Sequence, residues 1–227
     1  MPGARRGGTR DGLPWFEDGA IDTACARALA ETEMLPRTPE AIRIDRFIER
    51  QFSVTHEYED LEPGVLGYTE FSRTGVSRIV IATSLDSQAV VDRRRERSTL
   101  AHEAGHGLLH AHLLIAGEHL DLLEPNKAVP AVLCREEDVN ATATRGRRHE
   151  YHANCAIGGL LLPKALVRQV AERYLTPTGP LGTRELPVDA RELLVEELLD
   201  VFDVNRPVAR IRVDGMYPVA VHSQLML

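Results

Sequence analysis

The chain has 227 residues, a hydrophobic content of 43% and a formal net charge of −7 at neutral pH. This length suits one domain, or one domain with a small appendage, and the apolar content is sufficient for a core. The negative charge argues against broad binding to nucleic acid, which needs a basic surface. Three scattered cysteines and the lack of an apolar leader or membrane-length apolar run predict a cytoplasmic protein without a membrane segment.

The composition divides the chain into three parts. Residues 1–20 are rich in Gly, Arg and Asp, and we expect a flexible N-terminal segment there. Residues 21–175 contain the alternation of helical and extended patterns that is typical of a folded domain. Residues 176–227 begin with a Pro- and Gly-containing linker and continue as a helical C-terminal region.

Two helices and a small sheet are predicted ahead of the most informative stretch. A first helix is expected over 20–35, and Thr38 before Pro39 predicts the N-cap of a second. Strands are predicted over 65–71, with Gly67 at a bulge or close contact, and over 78–83, where β-branched residues are densest. With extended residues near 51–58, these segments predict two or three antiparallel strands.

The rest of the chain is predicted to be mainly helical. The long helix expected over 96–114 is followed by a less regular region with a possible short strand at 131–135. A helix is predicted over 148–162, and Pro163 ends it and begins the next. Leucines at helical spacing predict a helix over 189–202, and Asn205 before Arg206-Pro207 predicts the cap of a final short helix.

The long helix carries the pattern His102-Glu103-x-x-His106. Residues four apart leave a helix on the same face, so both imidazoles can bind one tetrahedral Zn²⁺. Glu103 follows the first histidine directly and can reach a water on the metal, which is the position of the general base in a zinc hydrolase. Gly105 is small enough to let another element approach this helix.

A catalytic zinc site needs a third protein ligand, and three candidates exist. His110 lies two turns, about 12 Å, from His102 along a straight helix, so we expect it behind a ligand or partly exposed. Cys134 could bind as a thiolate, but a buried apolar cysteine is the simpler interpretation. We prefer Glu150, because Asn154 lies one turn later on the same face and can accept a hydrogen bond from the other ring nitrogen of a ligand histidine.

Two blocks of this sequence resemble a known family. Residues 97–110, Arg-Ser-Thr-Leu-Ala-His-Glu-Ala-Gly-His-Gly-Leu-Leu-His, resemble the R-x-T-x-A-H-E-x-G-H-x-x-L-H block of the ImmA/IrrE metallopeptidases. Glu150-Tyr-His-Ala-Asn154, followed by Leu-Leu-Leu-Pro at 160–163, resembles the family's E-x-x-A-N and L-L-x-P block. The predicted strands look like its sheet, so the resemblance covers roughly residues 40–175.

The resemblance implies a gluzincin-type zinc endopeptidase over residues 21–175. Its fold would be α+β, with a small antiparallel sheet on a zincin-type helical core and a helical C-terminal part. The implied ligands are His102, His106 and Glu150, with Glu103 as the base and Asn154 beside a ligand. Characterised members act on helix-turn-helix repressors and release stress-response or mobile-element genes. No helix-turn-helix domain is recognisable before this peptidase region, so the target would be a separate protein chain.

Several points stay open at the level of sequence. The donor that stabilises the oxyanion could be Tyr68, Tyr151 or His152. The strand over 78–83 could bind substrate by strand addition, if one of its edges is free. Two other functions compete: an anti-repressor that binds its partner without cutting it, and a DNA-binding regulator that uses the C-terminal helices. Retention of Glu103 argues against the first, and clustered acidic residues near 192–203 argue against the second.

Overall fold

The computed structural model describes residues 16–117, 129–135, 148–178 and 183–219, and these have a mixed α+β fold, as predicted. The helices are α1 (Asp18–Glu31), α2 (Ile44–Phe52), α3 (Val90–Gly117), α4 (Arg148–Leu161), α5 (Lys164–Ala171), α6 (Val188–Phe202) and α7 (Arg206–Met216). The strands are β1 (His56–Glu59), β2 (Val65–Ser72), β3 (Gly75–Ala82), β4 (Val129–Arg135), β5 (Thr176–Thr178) and β6 (Thr183–Glu185). No helix in the described ranges combines the length and the apolar character that crossing a bilayer requires.

The main sheet has four strands in the order β1-β3-β2-β4. β2 pairs antiparallel with both β3 and β4, whereas β1 pairs parallel with β3, so the prediction of an entirely antiparallel sheet was wrong. The difference arises because β1 lies beside β3, the far strand of the β2–β3 hairpin, rather than beside β2. The linker predicted at the start of the C-terminal region contains a second small sheet, the β5–β6 hairpin.

The strand predicted to offer substrate a free edge is in fact internal. Ile79 of β3 is opposite His56 of β1, and Val80 of β3 is opposite Tyr68 of β2, so both edges of β3 are occupied. Among the described strands of this sheet, β1 and β4 are the edges. The prediction that residues 78–83 pair with substrate was therefore wrong, because β1 already occupies the position a peptide would need.

The second helix begins later than its sequence predicted. Thr38 does not cap it; α2 starts at Ile44, and its preceding residue makes no side-chain cap. Ile42 is buried outside the helix, and its carbonyl accepts a hydrogen bond from Arg97 Nη2 at 2.9 Å. This tertiary contact holds the segment ahead of α2 in a non-helical conformation and outweighs the local capping signal.

The long helix α3 is fixed by the sheet on one side and by the C-terminal helices at its beginning. A Cβ on Gly67 of β2 would lie 2.7 Å from the Val80 carbonyl oxygen and 3.1 Å from Thr99 Cγ2, so the predicted close contact is confirmed. Arg93 and Arg94 donate to the Asp203 carboxylate at 3.0 Å, and Arg97 donates to its backbone carbonyl. These bonds tie the start of α3 to the end of α6.

The C-terminal helices share one apolar core with the rest of the described chain. Leu194, Leu198 and Phe202 of α6 belong to the same buried cluster as residues of α1, α2 and α3. The predicted cap of α7 is confirmed, since the Asn205 side chain accepts from the Val208 backbone N–H at 3.1 Å. Residues 188–216 therefore support the helices that carry the candidate site.

Gly105 allows α3 and α4 to approach each other closely. A Cβ at this position would lie 2.8 Å from Ala156 Cβ and 3.2 Å from the Ala153 backbone. Gly105→Ala is therefore expected to lower the free energy of unfolding by about 1–3 kcal/mol, although alanine favours helices, because α4 must move. Urea denaturation measures this change, with Gly19→Ala, an open helical position, as the matched control. Equal stability of the two variants would contradict the close packing.

Candidate metal centre

His102 and His106 are one turn apart on α3, and their side chains lie side by side in the interior. Both rings are fully buried, and their Nε2 atoms lie 3.0 Å apart. Leu100, Ala101 and Ala104 are buried on the same stretch of helix, so the imidazoles enter an apolar layer. The i, i+4 spacing thus brings two nitrogen donors to one point, as the sequence pattern predicts.

The third member of this group comes from the first turn of α4. Glu150 Oε2 lies 3.1 Å from His102 Nε2 and 3.7 Å from His106 Nε2. Donors bound tetrahedrally at 2.0–2.1 Å are separated by about 3.3–3.4 Å, and these separations scatter around that value. His102, His106 and Glu150 therefore form a buried group that could hold a metal ion.

The electrostatics of the group suit metal binding. Burial would raise the pKa of Glu150, but hydrogen bonds with His102, His106 and His149 outweigh it and hold the pKa below the usual range. Burial lowers the pKa of His106 to about 4, so this imidazole is neutral near pH 7. A deprotonated carboxylate and a neutral imidazole are the forms in which these side chains bind metals.

The other ring nitrogens of the two histidines also have defined contacts. His102 Nδ1 lies 2.9 Å from Asn154 Oδ1, the contact that the one-turn spacing from Glu150 predicted. His106 Nδ1 lies 3.1 Å from His110 Nδ1. Such contacts fix the tautomer and the ring orientation and leave Nε2 facing the metal position. His110 is itself buried, so it lies behind a candidate ligand rather than at the surface.

His152 extends this row of histidines away from the candidate ligands. Its Nδ1 lies 3.5 Å from His110 Nε2, and its Nε2 accepts a long hydrogen bond of 3.4 Å from the Phe16 backbone N–H. The Phe16 ring packs against the imidazole edge to face, with centroids 5.3 Å apart. The structure therefore places His152 behind His110, which itself lies behind His106, and its role as an oxyanion donor stays a prediction.

Glu103 is buried beside the metal group and is held by the sheet. Thr69 Oγ1 donates to Glu103 Oε2 at 2.6 Å, and both side chains are completely buried. Thr69 lies on β2, so the packing of α3 against the sheet determines where this carboxylate points. Glu103 is thus a buried carboxylate of fixed orientation that follows His102 directly on α3, and its role as a general base stays a prediction.

The other two predicted oxyanion donors, Tyr68 and Tyr151, have hydroxyl groups whose contacts lie with residues other than the metal group. Tyr68 neighbours Thr69, so its side chain leaves the opposite face of the sheet, where its hydroxyl contacts Glu59 at 2.8 Å and Arg78 at 3.0 Å. The Tyr151 hydroxyl donates to Asp18 at 2.8 Å, toward α1. Strand alternation and helix rotation thus turn these hydroxyls toward Glu59, Arg78 and Asp18, and their roles as oxyanion donors stay predictions.

Two residues at the site were not singled out from the sequence. Thr69 gives no local signal, because its contact with Glu103 joins residues 34 positions apart. His149 precedes Glu150 directly, and its Nε2 lies 3.2 Å from Glu150 Oε1, the oxygen that faces away from His102. The side chain of His149 is 35% exposed, whereas the histidines behind it are buried. The adjacency of His149 and Glu150 was the available signal.

Cys134, one of the three candidates for the third ligand, has a side chain outside what the structure describes. The side chain of His112 and the whole of His119 are also outside the described set. The interpretation of Cys134 as an apolar residue therefore stays a prediction. Cys155 is a free thiol on α4 whose pKa burial raises to about 12, so it is not a reactive thiolate at neutral pH.

The orienting contacts lead to a prediction for metal affinity. Asn154→Ala and His110→Ala are each expected to weaken metal binding by about 10–100-fold, because each removes the partner of one ligand's Nδ1. Competition with a metal indicator dye measures the affinity. Cys155→Ala, one residue from Asn154 on α4, is the control and should bind like the unchanged protein. Unaltered affinity in both variants would show that Asn154 and His110 do not orient ligands.

No protein-family model matches the chain, and no curated protein matches it significantly.

Proposed function

We propose that the chain is a zinc-dependent endopeptidase of the ImmA/IrrE type with a zincin-type core. The observation that carries this proposal is the buried group of His102, His106 and Glu150 with Glu103 fixed beside it. A site used only to stabilise the fold would have no need of a second carboxylate at this place. The two sequence blocks that resemble the family supply these four side chains, which supports the same assignment.

The donor set favours zinc among common metals. Two imidazole nitrogens and one carboxylate oxygen form the ligand set of His₂Glu zinc hydrolases, which leave a fourth position for water or substrate. Magnesium and calcium prefer oxygen donors, so a site with two imidazoles selects against them. When bound, zinc would supply Lewis-acid polarisation of the scissile carbonyl.

The chain's own residues would then carry the proton through the reaction. Glu103 takes a proton from the attacking water as the water oxygen bonds to the peptide carbonyl carbon. The carbon–nitrogen bond breaks, and Glu103 passes the same proton to the leaving amine. Thr69 keeps the carboxylate in place through its 2.6 Å hydrogen bond. His149 contacts Glu150 and is partly exposed, so we propose that substrate approaches the site from the side of His149.

The sheet suggests how an extended substrate would lie. Among the described strands, β4 is the edge paired with β2, and β2 carries Thr69, so a peptide added along β4 would run beside the site. Strand addition requires an extended segment, which a linker offers and a folded helix does not. We therefore propose as substrate a helix-turn-helix repressor, cut between its DNA-binding and oligomerisation parts.

Digestion of a candidate repressor tests this function directly. Zinc-loaded protein is incubated with a helix-turn-helix repressor encoded beside its gene, and mass spectrometry locates the cut. Gel-shift assays should show reduced operator affinity, because cleavage makes two linked half-site contacts independent. A chelator-treated sample is the control. Intact repressor after prolonged exposure, or cleavage inside a buried helix, would contradict the proposed mechanism.

The rival DNA-binding function gains little support from the C-terminal helices. Arg206 forms ion pairs with Glu192 and Glu196, and Arg210 pairs with Glu192, so nearby carboxylates offset their charge. Such offset cations would contribute weakly to phosphate binding. We propose no direct contact with nucleic acid and place the reaction in the cytoplasm, where free thiols such as Cys25 and Cys155 persist.

A further inference from the structure

A separate cavity of about 280 Å³ lies between α1, α4 and α7, on the side of Asn154 away from α3. Ile157, Val208, Ile211 and Met216 form much of its apolar wall. Its charged lining consists of Asp18, Asp22, Lys164 and Arg212. The metal-binding group itself does not line this space. An apolar cavity with a few charged groups at defined positions is the usual form of a small-molecule site.

Two helical glycines keep this cavity open without a packing requirement. A Cβ on Gly158 of α4 would meet only Arg212, at an ordinary contact distance of 3.8 Å, and one on Gly215 of α7 would meet nothing within 4 Å. The neighbouring Gly159 differs, because its Cβ would lie 2.8 Å from Cys25 Sγ. Glycine destabilises a helix relative to alanine, and at Gly158 and Gly215 no close packing accounts for that cost.

The charged groups at one end are arranged around a buried ion pair. Arg212 Nη1 lies 2.7 Å from Asp22 Oδ1, and Lys164 Nζ lies 2.6 Å from Asp22 Oδ2. The Arg212 side chain is only 9% exposed, and its Nη2 atom has no hydrogen-bond partner among the residues that the structure describes. A buried donor without a partner is unfavourable, and a turn of the guanidinium group that brings Nη2 to an anionic ligand group in the cavity would relieve this.

The balance of charge selects the class of ligand. Two acidic and two basic side chains line the cavity, so a ligand with a net charge would meet no opposite excess. Asp18 and Asp22 are one helical turn apart on α1 and can attract an ammonium group beside the carboxylate that Arg212 binds. We propose that this cavity binds a free α-amino acid with an apolar side chain.

In this assignment each part of the ligand has a partner. The carboxylate lies toward Arg212, the ammonium group toward Asp18 and Asp22, and the side chain between Ile157 and Ile211. Asn154 lines the cavity and also contacts His102, so the ligand would touch a residue that orients the metal group. The site is tested by direct binding, so its outcome is independent of whether the chain is a peptidase.

Calorimetric titration of the full chain tests the ligand class. The probes are L-phenylalanine, 3-phenylpropionate, which lacks the ammonium group, and 2-phenylethylamine, which lacks the carboxylate. We expect L-phenylalanine to bind and each singly charged probe to bind about tenfold more weakly or worse, because one charge-assisted contact is lost. No heat with L-phenylalanine, L-leucine or L-methionine at millimolar concentration would overturn the proposal, as would equal affinity for the three phenyl probes.

Variants of the wall locate the binding. Gly158→Leu should fill the cavity, reduce L-phenylalanine affinity at least about tenfold and leave the melting temperature unchanged or higher, since the added Cβ has room. Gly215→Leu is the second variant, in case the first misfolds. Ile211→Ala should weaken binding several-fold, whereas Leu193→Ala, equally exposed but outside the wall, should not. Unchanged affinity in both glycine variants would place the ligand elsewhere and overturn the proposal.

Discussion

Glu150→Ala is expected to lower the affinity for zinc by more than about 100-fold while leaving the helices intact. Loss of an orienting partner alone commonly costs 10–100-fold, and removal of a direct ligand should cost more. Glu150 also provides the only carboxylate in the donor group of the described residues, so its loss leaves two neutral imidazoles with no charge to balance the ion. Atomic absorption on protein purified by gel filtration should find stoichiometric zinc in the unchanged chain and little in the variant.

Thermal unfolding provides an independent measurement of how Glu150→Ala affects zinc binding. A metal that binds only the folded state raises the melting temperature in proportion to the logarithm of its concentration over its dissociation constant. The unchanged chain should therefore gain stability on zinc addition, and Glu150→Ala should gain much less. Glu197→Ala is a suitable control, because this partly buried glutamate contacts Tyr174, away from the metal group. Stoichiometric zinc in Glu150→Ala would exclude Glu150 as a ligand.

Helix periodicity and spacing predicted those parts of the site that lie within one element. His102 and His106 share a face because they are one turn apart, and Glu150 and Asn154 do so for the same reason. Gly105 predicted the close approach of another element to α3, and that element is α4, since a Cβ at Gly105 would clash with Ala156. These inferences needed only local geometry, which a single sequence contains.

The features that sequence did not predict depend on tertiary placement. Strand order decides that β3 is internal, and no residue within β3 encodes that β1 will pair with it. The Thr69–Glu103 contact joins a strand and a helix, and the burial of Ile42 overrides the capping signal of Thr38. Tyr68 illustrates the same limit, because its direction follows from which face of β2 meets α3.

Glu103→Gln separates an enzyme from a binding protein, and it is expected to abolish peptide hydrolysis. The amide has the shape of the carboxylate and its oxygen can still accept from Thr69 Oγ1, so fold and zinc content should be preserved. It cannot take a proton from water, and loss of a general base costs about 10²–10⁴-fold in kcat. Quantitative mass spectrometry of the cleaved repressor measures the rate.

The same variant, tested in cells, gives the decisive comparison. If proteolysis relieves repression, Glu103→Gln should leave the reporter repressed although the protein accumulates normally. Thr69→Val should retain the fold and cleave more slowly, since Glu103 loses its 2.6 Å hydrogen bond, and Thr69→Ser should restore the rate by restoring the hydroxyl. Full derepression by Glu103→Gln would instead support an anti-repressor that sequesters its partner, because binding needs the surface around the site but not a proton acceptor within it.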